Sequence, residues 1–109
     1  MAKLFKDLKE GDILYMYTGY NGVPSEIFEH PVLSDAKLDD TGTMVFVSFN
    51  DEDGECSLCF MADDSFDDSG EYYIISTDKD ELIKRHNDTI DGLIIHYEDY
   101  ITKLKAARL

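Results

Sequence analysis

The chain has 109 residues, 43% of them hydrophobic, with 24 Asp and Glu against 10 Lys and Arg for a formal charge of -14. That length supports one hydrophobic core rather than two, so residues 1–109 read as a single domain, and the apolar content is that of a globular chain. No run approaches the ~18 apolar residues of a membrane span, no secretion signal opens the chain, and so acidic a surface repels phosphate and anionic lipid, which argues against direct nucleic-acid or membrane binding and for a cytoplasmic address.

In chain order, a Gly11-Asp12 turn leads into a first strand at residues 13–17. Four further runs rich in β-branched and aromatic residues follow at 27–33, 43–49, 55–61 and 71–76, separated by clusters such as Asp39-Asp40-Thr41-Gly42 and Asp67-Asp68-Ser69-Gly70. Their even spacing, with no helical periodicity between them, predicts a five-stranded antiparallel meander that forms a small, partly closed barrel or a curled sheet. The octapeptide Leu8-Lys9-Glu10-Gly11-Asp12-Ile13-Leu14-Tyr15 resembles the opening of SH3-like barrels, including the KOW type. The resemblance implies a fold and not a function, because KOW-type barrels bind RNA with basic surfaces and residues 10–78 of this chain hold 17 acidic residues against Lys37 alone.

Cys56 and Cys59 spell a CxxC inside the fourth strand. Residues three apart on a strand point to opposite faces, so they are expected as structural thiols and not as a metal or redox pair. Asp51-Glu52-Asp53-Gly54 looks like a calcium loop, but aligning its glycine with the EF-hand pattern puts Phe49 first and Phe60 last, and neither can ligate. His30, His86 and His96 are scattered without a helical metal-ligand spacing, and no nucleophile elbow or phosphate-binding glycine loop is present. No catalytic residue, metal ligand or cofactor is assigned.

After residue 76 the period changes. Ile83, Ile90, Tyr97 and Leu104 are seven apart, with Leu93, Ile94, Tyr100 and Ile101 on or beside the same stripe, which predicts one helix over 78–108. Thr77 or Asp78 caps it; Lys103, Lys105 and Arg108 suit its C-terminal dipole. Gly92 is a poor helix former, but the unbroken seven-residue phase favours a continuous element. The stripe either covers the open side of the barrel, the first expectation, or pairs with its twin in a homodimer.

The whole is an α+β chain whose negative charge lies in the strand-rich part, in excess of the net charge of about 2 to 8 that solubility uses. The leading expectation is a non-catalytic protein that engages a basic protein surface through Asp51, Asp53, Asp63, Asp64, Asp67 and Asp68. In composition it is similar to small phage proteins that disarm host nucleic-acid-binding proteins by imitating a row of phosphates, and that resemblance implies an inhibitor. The alternative is a structural or assembly subunit that oligomerises through the helix. A metal-dependent enzyme stands third, supported only by the abundance of carboxylates.

Overall fold

Strand β4 (Met44–Asp51) turns back into β5 (Gly54–Met61) to form the longest hairpin of the chain. Val45, Val47 and Phe49 are buried while their neighbours are more exposed, the period of two that a half-buried strand requires. Glu52 and Asp53 form the tip, where Asp51 Oδ1 accepts the Asp53 amide at 2.8 Å and Gly54 takes φ +116°, a conformation that a side chain disfavours. The computed structural model describes residues 3–19, 22–68 and 72–109 in this way.

With β1 (Ile13–Thr18), β2 (Phe28–Pro31), β3 (Lys37–Leu38), β6 (Phe66–Asp67) and β7 (Tyr73–Ser76), the hairpin completes two antiparallel sheets, ordered β2-β1-β7-β6 and β3-β4-β5. Each predicted run contains a strand, although the start of the last run, Glu71, lies outside the described residues. The count is seven and not five, because β3 and β6 are two-residue strands, and neither sheet closes on itself. The sheets meet where Val32 bridges to Phe49 and the Leu33 amide donates to the Ser48 carbonyl at 2.9 Å.

Leu14, Met16 and Ile75 from one sheet pack against Val45, Val47, Phe49 and Phe60 from the other. A 3-10 turn at Phe5–Asp7 plugs the end of this core. Phe5 stacks on Phe60 with ring centroids 4.1 Å apart, and its amide donates to the Asp64 carbonyl at 2.7 Å. Burying Phe5 and Leu8 there is worth about 1.5–3 kcal/mol each.

Helix α1 (Lys79–Ala106) follows at once and runs unbroken through Gly92. Asp78 is its N-cap, its carboxylate accepting from the amides of Asp80 and Glu81. Leu82 is fully buried against the body, and Arg85 spans Asp68, at 3.1 Å, and the Phe66 ring. His86 Nε2 lies 2.6 Å from the Ser25 carbonyl oxygen, its ring edge-on to Tyr17.

Candidate functional site

A 28-residue helix is about 42 Å long, whereas β1 and β7, against which it packs, provide six and four residues, about 20 and 13 Å of strand. The helix therefore outruns its support. From Ile94 to Leu109 every residue is exposed. The chain measures 64 × 27 × 23 Å with a radius of gyration of 17.5 Å, against about 13 Å for a compact chain of this length.

The predicted stripe is divided accordingly. Ile83 and Ile90 are half-buried beside the body, whereas Tyr97 and Leu104 remain 51% and 54% exposed on the projecting part. Ile94, Tyr100 and Ile101 join them at 49%, 55% and 49%. The first expectation, a helix lying over the open side of the sheet, holds only for its N-terminal half. The polar groups of the projecting part are arranged for water: Lys103 pairs with Asp99 at 3.0 Å, and the Thr102 hydroxyl donates to the Glu98 carbonyl. Lys105 and Arg108 have no ion-pair partner among the described residues.

The six carboxylates expected to form a recognition face do not share one place. Asp51 and Asp53 stand at the tip of the β4–β5 hairpin, and Asp63 and Asp64 follow the opposite end of the eight-residue strand β5, about 25 Å away. Asp67 lies in β6 of the other sheet, with Asp68 directly after it. Lys6 pairs with Asp63 at 2.8 Å, an attraction that raises the lysine's pKa, and Arg85 takes Asp68. What the hairpin does bring together is Asp51, Glu52 and Asp53, none of them in an ion pair among the described residues.

That tip borders an open groove of about 560 Å³ between the sheets, lined by Phe28, His30, Phe49, Leu58 and Tyr73. His30 Nδ1 lies 3.0 Å from the Asn50 carbonyl oxygen, with its ring 5.0 Å from Phe49. No pattern in the chain foreshadows this convergence, because its aromatic residues sit on three different strands. Cys56 is half-buried beside the groove; burial, then the Asp51 carboxylate, pushes its thiol pKa up. Cys59 projects from the opposite face of β5 and is exposed, so the two sulfurs cannot share a ligand.

Among the described residues no three His, Cys, Asp or Glu side chains are placed to hold a metal ion, and no helix is long and apolar enough to cross a membrane. No known protein family matches the chain, nor does any curated protein or solved structure.

Proposed function

We propose that the protein is a non-catalytic interaction subunit, an acidic head carrying a helical arm, and that the apolar face of the arm is its protein-binding surface. The observation that carries this reading is the row of Ile94, Tyr97, Ile101 and Leu104, each about half exposed on a helix that has left its body. Large apolar side chains scattered singly on a surface are ordinary; a contiguous strip of them along a projecting rod is what interaction sites expose. An arm needed only to cover the sheet would end where the sheet does.

The test is native mass spectrometry of the tagged chain isolated from its source cells, beside Ile101→Asp. The expected result is an assembly, of its own copies or with a second protein, that disappears in the variant while the head keeps its circular dichroism and melting temperature. A chain isolated as a monomer, or an assembly indifferent to Ile101→Asp, overturns the reading.

A second reading, engagement of a basic protein surface by the acidic head, is favoured by Asp51, Glu52 and Asp53, which form no ion pair among the described residues and stand beside an aromatic groove. Aromatic faces and carboxylates together attract ammonium and guanidinium groups. On this reading the recognition face is the hairpin tip, and capture of basic proteins weakens steeply with salt.

A further inference from the structure

We propose that the partner of the helical arm is a second copy of this chain, packed antiparallel along residues 90–108; this rests on the reading of the arm as a protein-binding surface and names its occupant. Ile90, Ile94, Tyr97, Ile101 and Leu104 alternate in steps of four and three, the spacing of a two-stranded coiled-coil seam. Leu93 and Tyr100 widen the seam on one flank; Asp91, Glu98 and Lys105 line the other.

The charge order along the arm selects the orientation. Asp88, Asp91, Glu98 and Asp99 come first, and from Lys103 to the end the charged residues are all basic. In an antiparallel pair with its axis near Asp99, Ile94 of one copy meets Leu104 of the other and Tyr97 meets Ile101. Asp91 then lies beside Lys105 of the other copy, twice, against a single Glu98–Glu98 approach at the axis, and neither Asp91 nor Lys105 has an ion-pair partner within its own chain among the described residues. The helix dipoles also oppose favourably. In a parallel pair the basic ends would face each other, and two acidic heads would sit side by side.

Distance reinforces the choice. Each head ends near Ile90, about nine residues or ~13 Å of helix from that axis, which holds antiparallel heads about 27 Å apart along the coil, more than three Debye lengths at physiological salt. The available surface is adequate. Ile94, Tyr97, Tyr100, Ile101 and Leu104 are each about half exposed. Together they offer on the order of 500 Å² per copy, or about 1,000 Å² across the pair, where specific interfaces begin.

Sedimentation equilibrium of the purified full chain, from low micromolar to submillimolar concentration, is expected to show a dimer of the 12.5 kDa chain. Ile101→Asp, which sets an unpaired carboxylate in the seam from each copy, raises the dissociation constant by about 100-fold or more. Orientation is read in a chain carrying Cys56→Ser and Cys59→Ser, into which Ile94→Cys or Leu104→Cys is introduced separately. A disulfide that forms only when the two variants are mixed supports the antiparallel pair, and each variant cross-linking to itself overturns it. A wild-type chain that stays monomeric to submillimolar concentration also overturns it. If Ile101→Asp nonetheless removes the assembly isolated from cells, the arm remains a binding surface for another protein; if it removes nothing, the arm reading falls too.

Discussion

Cys56 and Cys59 show how much a single step of the strand pleat decides. Both side chains leave the same strand, but Cys56 turns toward the core, packing against it close to Asp51, and Cys59 turns toward water. A thiol reacts as its thiolate, and the environment of Cys56 opposes that charge, first through burial and then through Asp51. Alkylation by iodoacetamide near pH 8 is therefore expected to proceed at least about tenfold faster at Cys59 than at Cys56. Asp51→Asn accelerates the slow site without touching the fast one, and equal rates in the parent chain, followed by peptide mass spectrometry, would refute the assignment. The opposed faces of the two thiols follow from strand period alone and are legible in the sequence. The meeting of Phe28, His30 and Tyr73 at one groove is not, because side chains from separate strands become neighbours only through register.

At the scale of elements, α1 is two things in succession. Its first turns belong to the core, with Leu82 fully buried and His86 bonded to the Ser25 carbonyl, and in its last turns every residue is exposed. Leu82→Ala should cost about 2–5 kcal/mol in urea unfolding, as a large-to-small change at a closed site. Deleting residues 96–109, at a concentration where the chain is monomeric, should change that stability by less than about 0.5 kcal/mol. A truncation as damaging as Leu82→Ala would mean that the arm folds back on the head. Periodicity exposes which residues share the helix face, since a seven-residue phase persists from Ile83 to Leu104; what covers the face is set by the length of sheet beneath it, which no pattern within the helix records. The short strands β3 and β6 escape sequence reading for a related reason. Two residues cannot display a period, and they become strands only because β4 and β7 offer them an edge. The plug formed by Phe5 and Leu8 is likewise built on tertiary contact, with only one turn of local structure to announce it.

For the molecule as a whole the governing quantity is the charge of -14 and where it is offset. Lys3, Lys6 and Lys9 at the N-terminus pair with Asp12, Asp63 and Asp35, and Lys79 and Arg85 at the start of α1 pair with Glu29 and Asp68, so the basic residues on either side of the acidic segment neutralise parts of it locally. Such exposed pairs each contribute little to stability, because water screens them and their long side chains lose freedom in pairing. Repulsion among the remaining carboxylates acts over longer distances and is screened first: the Debye length falls from about 30 Å at 0.01 M salt to about 10 Å at 0.1 M, below the width of the head, while contacts near 3 Å are largely spared. The melting temperature should therefore rise over that range of sodium chloride. Acid acts on the same balance. Asp12 is held below the usual carboxylate range, first by the hydrogen bond from Lys3 and then by the Lys9 amide, and Asp39 first by the Thr41 hydroxyl. A carboxylate whose folded pKa is depressed stabilises fully above its unfolded value, about 3.9, and loses that contribution only as pH falls through the lower folded value. Stability is thus expected to hold from neutrality down to about pH 4 and to drop below it as Asp12 and Asp39 protonate. Thermal melts at constant ionic strength decide the matter: a melting temperature that declines steadily from pH 7 to pH 5, or one that falls on adding salt, would show that attraction and not repulsion dominates the head.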